Sequence, residues 1–256
     1  MSGDAAPAAR APLIRVSGLT IGWDDTVLQR EATFEVERGD IFVILGGSGC
    51  GKSTLMRYLI GLETPLAGTV AIEGWAPGDE TAVRRPPFGV MFQSGALLGS
   101  LTVGENVALQ LREWTTLPLD AIGAIVAAKL RLVGLHHAEN KMPAELSGGM
   151  KKRAAIARAM ALEPQLIFFD EPSAGLDPVA AAELDDLILG LNESLGLTIV
   201  IVTHDLESIF KIGKRCIMLD RESKSIIARG DPRVLRDTSD DPRVRSFFNR
   251  TSQVDA

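Results

Sequence analysis

No apolar run in this 256-residue chain exceeds about five residues, IFVIL and TIVIV being typical, against the roughly twenty a helix needs to cross a bilayer. No membrane-spanning segment is therefore predicted. Positive charge is also in deficit: 27 Lys and Arg face 33 Asp and Glu, for a net charge of −6, so no global field recruits nucleic acid or anionic lipid. Cysteine is scarce. Cys50 lies in a glycine-rich loop and Cys216 in an apolar run, without metal-ligand spacing or a reason to expect a disulfide. The opening MSGDAAPAARAP lacks the charged start and apolar run of a secretory signal and reads as a frayed tail, so the expected location is the cytosol. What the chain does have is 46% hydrophobic residues, enough to fill one large core or a core with a subdomain.

Strand and helix signals alternate along most of the length. From Leu13 to Val36 apolar and polar residues alternate around WDDT, which predicts a hairpin or a two-stranded edge. IFVIL reads as a buried parallel strand, STLMRYLIGL as the helix after it, and Gly68 to Trp75 and Phe88 to Phe92 as further strands. Between about Gln93 and Pro164 the spacing turns helical, in LTVGENVALQLREW, LDAIGAIVAAKLRLVGL and GMKKRAAIARAMALE. Alternation then resumes with LIFFD, PVAAAELDDLILGLNESLG, LTIVIVTH, DLESIFKIG and RCIMLD. The order predicts an α/β fold, a doubly wound and mostly parallel sheet interrupted by a helical insertion. DPRVRSFFNRTSQVDA closes the chain as a short helix and a loose end.

Gly46, Gly47, Ser48, Gly49, Cys50, Gly51, Lys52, Ser53 and Thr54 join the IFVIL strand to its helix, the setting a phosphate-binding P-loop requires. Its glycines let backbone N–H groups converge on phosphate oxygens, Lys52 reaches the terminal phosphates, and Ser53 is a ligand for Mg²⁺. LIFFDE delivers Asp170 and Glu171 to the carboxyl end of a strand in the same sheet, where ligands bind in such folds. Asp170 is expected to hold Mg²⁺ directly or through water, and Glu171 to orient or deprotonate the attacking water. His204 follows the next apolar strand and Gln93 closes another, so both are candidates for the same edge, Gln93 as a ligand of metal or water.

ELSGGMKKRAAIARAM, 145–160, holds a second phosphate-like feature. Ser147 is the expected N-cap of a helix, with Gly148 and Gly149 allowing close backbone approach. Lys151, Lys152 and Arg153 lie in its first turns, the unfavourable end of the helix dipole for cations. Either an anion stands nearby or three charges are solvated on an open face. Asp177 with Pro178 is a helix start of the purely structural kind.

With these motifs in order, the chain resembles the ATP-binding-cassette (ABC) ATPases: GGSGCGKS as Walker A, Gln93 as the Q-loop, LSGGM as the signature, LIFFDE as Walker B, SAGLDP with Asp177 as the D-loop and His204 as the H-loop. The resemblance implies a RecA-like P-loop core with antiparallel edge strands, formed by 12–92 and 165–238, a helical subdomain at 93–164 and a C-terminal extension at 239–256. It also implies a homodimer that hydrolyses ATP with Mg²⁺, in which Ser147, Gly148 and Gly149 of one subunit meet the γ-phosphate held by the other. Trp23 falls where the family places an aromatic that stacks on adenine. Met150 within the signature, with GVMFQSGALLGSLTVGENV and VRSFFNR, is similar to the ATPases of Mla-type, MCE-linked lipid transporters. That narrower likeness implies an inner-membrane permease and an MCE-domain protein as partners, phospholipid as cargo, no nucleic acid, and a peripheral position on the cytoplasmic face. The alternatives are another ABC transporter's ATPase, a soluble cassette or a non-hydrolysing nucleotide-binding module. A DNA-repair cassette needs a coiled-coil insertion, and the interval from Lys52 to Ser147 shows no sustained heptads.

Overall fold

The computed structural model describes residues 11–23, 26–73, 75–77, 85 and 87–250. The amino-terminal ten residues and the last six, both read from sequence as loose, lie outside the described residues. Nine strands and eight α-helices are described: β1 (Ile14–Trp23), β2 (Thr26–Val36), β3 (Ile41–Gly46), α1 (Lys52–Leu59), β4 (Ala67–Ile72), β5 (Phe88–Met91), α2 (Val103–Trp114), α3 (Leu119–Leu132), α4 (Gly148–Ala159), β6 (Leu166–Asp170), α5 (Pro178–Leu195), β7 (Thr198–Val202), α6 (Leu206–Ile212), β8 (Arg215–Leu219), β9 (Ile226–Gly230), α7 (Pro232–Thr238) and α8 (Pro242–Asn249).

The apolar runs build the centre. β3, β6 and β7 are buried at every residue, as expected of parallel strands covered on both faces. They lie in a six-stranded sheet of order β5-β6-β7-β3-β8-β9, parallel except that β9 runs antiparallel on β8. The hairpin predicted around WDDT forms, with Trp23 opposite Thr26. Together with β4 it makes a separate antiparallel sheet, β2-β1-β4, so antiparallel strands occur both at the edge of the main sheet and over its face. The reason is the period-two pattern of β1, which buries Ile14 and Val16 and leaves Arg15 and Ser17 toward the surface. Side chains of β1, β2, β4, α1 and alternate residues of β3 share one apolar cluster.

The other face of the sheet is covered by the helical insertion and α5, which share a second cluster with Ile41, Met91 and Ile199. Helix α4 crosses β5 so closely that a Cβ on Gly89 would stand 2.1 Å from the Ala159 carbonyl oxygen. Only glycine permits that crossing. A third cluster seats α8 through Val244 and Phe248 against Leu206 and Ile209 of α6. No helix among the described residues is long and apolar enough to cross a membrane.

One buried polar residue fixes the segment between β5 and α2. Asn106, fully buried in α2, donates to the carbonyls of Leu98, Leu101 and Thr102 and accepts from the Leu98 N–H at 2.7 Å. Asn106→Ala removes every one of these partners. The expected loss of stability is about 3 kcal/mol, because buried backbone groups are left unpaired, and a urea unfolding curve measures it.

Candidate active site

The glycine loop is shaped by backbone constraint. Gly46 has φ 143, and a Cβ there would meet the Leu219 carbonyl oxygen at 2.4 Å and Cys50 Sγ at 2.6 Å. The loop thus turns flush against β8 before entering α1. Gly51, the N-cap of α1, supplies no side-chain cap, which leaves first-turn N–H groups for an anion. Lys52 Nζ folds over the loop and donates to the Gly46 and Gly47 carbonyls at 2.8 and 3.0 Å. A cleft of about 560 Å³ opens above, lined by the loop together with Thr54, Gln93, Glu171, His204 and Phe247.

Sheet order explains which acids arrive. β6 carries Asp170 and Glu171 to the same end of the sheet as the glycine loop, with β7 between β6 and β3. Ser53 Oγ donates to Asp170 Oδ1 at 2.8 Å. Burial raises the Asp170 carboxyl above its ordinary pKa, against the opposing pull of the Ser53 hydroxyl and of Lys152 and Lys52. Glu171 lies next, with φ 47, an uncommon conformation for a non-glycine residue. Its N–H is held by the Val202 carbonyl at 2.8 Å, and its own carbonyl accepts from Ala174 N at 3.2 Å. Glu171 Oε1 stands 2.8 Å from His204 Nδ1. With Glu171 ionised, the proton of that contact belongs on Nδ1.

The structure therefore gathers the loop, Lys52, Ser53, Thr54, Gln93, Glu171 and His204 around one cleft, with Asp170 bonded beneath them to Ser53. Cys50 is different: it belongs to the loop but its side chain is buried, and burial pushes its thiol up in pKa. Trp23 does not line the cleft; it ends β1 with 46% of its surface exposed. Ser147, Gly148 and Gly149 are also absent from the cleft lining. Ser147 caps α4, its Oγ accepting from Met150 N at 3.3 Å, and Ser147 and Gly148 are exposed. Asp177 caps α5 through the N–H groups of Val179 and Ala180. These two helix starts abut, because a Cβ on Gly148 would meet Leu176 and one on Gly149 would meet Ala180.

Two of the three cations of the signature helix are met by groups of this chain. Lys152 is buried and donates to the carbonyls of Gln93 and Glu171 at 2.6 and 3.2 Å. Arg153 pairs with Glu183 at 2.9 Å, and Lys151 is half-buried. Tertiary carbonyls and carboxylates thus outweigh the helix dipole. Three further residues give no sequence signal for this site. Gln29 is buried within β2 and donates to the carbonyls of Cys50 and Asp220, both at 2.9 Å. Arg243 ties the start of α8 to Asp220 at 3.0 Å. Phe247 reaches the cleft only because α8 docks beside α6.

Comparison with known proteins agrees with this geometry. Residues 29–174 match the ABC transporter family. The intermembrane phospholipid transport ATP-binding protein MlaF of Escherichia coli K12 is 43% identical over 84% of this chain and 80% of its own. MlaF of Haemophilus influenzae is 40% identical over 94% and 91%. A probable ribonucleotide transport ATP-binding protein, mkl, of Mycobacterium leprae is 42% identical over 92% of this chain and 68% of its own length. Among solved structures, cbiO1 from Clostridium perfringens, part of an ABC transporter complex, superposes with a TM-score of 0.78 at 29% identity, covering 88% of this chain and 90% of that one. The ATP-binding cassette MJ0796, in a dimeric post-hydrolysis state bound to ADP and Pi, superposes at 0.75 with 29% identity over 85% and 98%. A P-loop, an acidic strand end and an outlying signature helix on one α/β frame, matched over most of the chain, make this protein an ATP-binding cassette of the ABC transporter family.

Proposed function

We propose that the chain hydrolyses ATP as the energy-supplying subunit of a transporter that moves phospholipid between membranes. The observation that carries the chemistry is the convergence of Ser53–Asp170 and Glu171–His204 on the P-loop cleft. Lys52 exchanges its loop carbonyls for phosphate oxygens. Glu171 accepts the proton of the attacking water, and the His204 Nδ1–H holds its carboxylate in place. Among the described residues no three His, Cys, Asp or Glu gather at one point. The Ser53 hydroxyl, the Asp170 carboxylate and the Gln93 side chain would hold Mg²⁺, as hard oxygen donors that suit this ion beside phosphates. Bound there, Mg²⁺ would neutralise charge on the β- and γ-phosphates.

The exposed signature beside Asp177, outside its own cleft, supports completion of each site by a second copy. A two-fold homodimer brings both signatures onto both triphosphates. On this reading 93–164 is the helical subdomain, 12–92 and 165–238 the nucleotide-binding core and 239–256 an extension, and Trp23 offers a stacking face to adenine. Phospholipid is favoured over ribonucleotide as cargo because the likeness to MlaF extends over more of the relatives' length than the likeness to mkl. A permease and an MCE-domain protein are the proposed partners, with the chain peripheral on the cytoplasmic face of the inner membrane. Purification from membranes in detergent, followed by identification of co-purified proteins and lipid, tests this. Recovery without membrane proteins overturns the transporter assignment.

Leu98 is the proposed contact for the permease. It is 46% exposed while its backbone is pinned by Asn106, giving a rigid apolar point on the surface. Leu98→Asp is expected to leave ATPase activity of the isolated subunit within about twofold and to cut lipid transport by about tenfold or more, the cost of burying a carboxylate at an interface core. Reconstituted transport at full rate removes this contact.

A further inference from the structure

Helix α4 makes contacts at both ends of its length that no motif assigns. Lys152 lies one turn inside the Ser147 cap and is only 7% exposed, so its ammonium has to be satisfied by protein groups. Its partners are two main-chain carbonyls from separate elements: Gln93, which follows β5, at 2.6 Å, and Glu171, which follows β6, at 3.2 Å. The carboxylates of Glu171 and Asp170 add favourable charge from the same side, against the burial that lowers its pKa. Further along α4, Arg158 donates to the carbonyls of Gly95 and Ala96, which have φ 76 and 49. Segment 93–96 is thereby gripped by α4 twice. Glu171 has a left-handed φ as well, and a backbone held there persists only where its surroundings over-determine it. Lys152 is one of those constraints.

We infer that Lys152 is a positioning residue that couples the two ATP sites of the dimer. The start of α4 faces the partner's triphosphate, and a turn later the same helix holds the carbonyls of its own Gln93 and Glu171. A shift of α4 on engaging the partner's nucleotide is thus passed to the water-activating carboxylate of its own cleft. This rests on the shared-site reading given above.

The test uses the full-length chain with Lys152→Met, Lys152→Gln and Lys152→Arg. Phosphate release against ATP concentration gives kcat, KM and the Hill coefficient, and a fluorescent ATP analogue reports binding. For Lys152→Met, kcat is expected to fall about tenfold to a hundredfold, the scale of a misplaced reacting group. Analogue affinity stays within about twofold, because the residue touches no part of the P-loop cradle. The Hill coefficient falls toward unity. Lys152→Arg, which keeps a cation with N–H donors in a bulkier planar head, retains more of wild-type kcat than Lys152→Met. An unchanged kcat in Lys152→Met overturns the inference, as does an affinity loss parallel to the kcat loss, or a Lys152→Arg variant as impaired as Lys152→Met. If Lys152→Met fails to fold by thermal melting, Lys152→Gln, with a neutral donor of similar reach, is judged by the same criteria. Dilution of the wild type separates the two readings. Turnover per chain that stays constant into the monomer range defeats the shared site itself. Turnover that falls on dilution, with wild-type cooperativity in the Lys152 variants, defeats only the coupling role.

Discussion

Glu171→Gln is expected to lower kcat by about 10²- to 10³-fold, the worth of the positioned general base proposed for it, while ATP remains bound. The change corresponds to roughly 3–4 kcal/mol of transition-state stabilisation. An amide has nearly the size of the carboxylate and keeps an oxygen that accepts from His204 Nδ1, now at 2.8 Å. The backbone contacts to Val202, Ala174 and Lys152 do not involve the side chain. What disappears is the ability to take a proton from water. Lys52, Ser53 and the loop are untouched, so the triphosphate is held as before and the dimer it closes persists. Steady-state phosphate release and gel filtration with Mg-ATP measure the two halves of this expectation. A kcat within about twofold of wild type removes Glu171 as the base.

The parts of the site that sequence made legible are those fixed by local constraint. Gly46 and Gly51 mark positions where the backbone tolerates no ordinary side chain, and Lys52 and Ser53 follow Gly51 directly as the first residues of α1. Asp170 and Glu171 were readable because five apolar residues announce a buried strand and its end. Lys152 was not. Its triplet of cations left open an anion or a solvated face, whereas Lys152 finds its contacts at Gln93 and Glu171, 59 and 19 residues away. The same holds for Gln29, which looks like an ordinary polar residue in an alternating strand but is buried between Cys50 and Asp220. Phe247 shows the limit in another form. DPRVRSFFNRTSQVDA reads as a short helix and a loose end, which does not tell that Val244 and Phe248 seat the helix on α6 with Phe247 at the cleft.

The position of Ser147 leads to the second large effect. Lys52→Ala removes the cation proposed to reach the terminal phosphates, and each proposed homodimer of it is expected to lose both sites. Ser147→Asp keeps a good N-cap oxygen for Met150 N, so α4 is preserved, yet sets a negative charge against the partner's triphosphate. Either variant alone is expected to fall about 10²-fold or more in turnover, as when a charge contact in a phosphoryl-transfer site is lost. Mixed and allowed to exchange, the two give hybrids in which the Ser147→Asp chain lends an intact P-loop and the Lys52→Ala chain an intact signature. Random pairing makes about half the dimers hybrid, each with one good site of two, so independent sites recover about a quarter of wild-type turnover. A self-contained monomeric site recovers nothing, because every chain in the mixture carries a defect. Recovery well above the sum of the separate variants therefore requires that the exposed signature helix acts on a neighbour's nucleotide. Coupling through Lys152 lowers recovery below that quarter, so a mixture no more active than its components, with exchange verified by tags, excludes the shared site only together with wild-type turnover that stays constant on dilution.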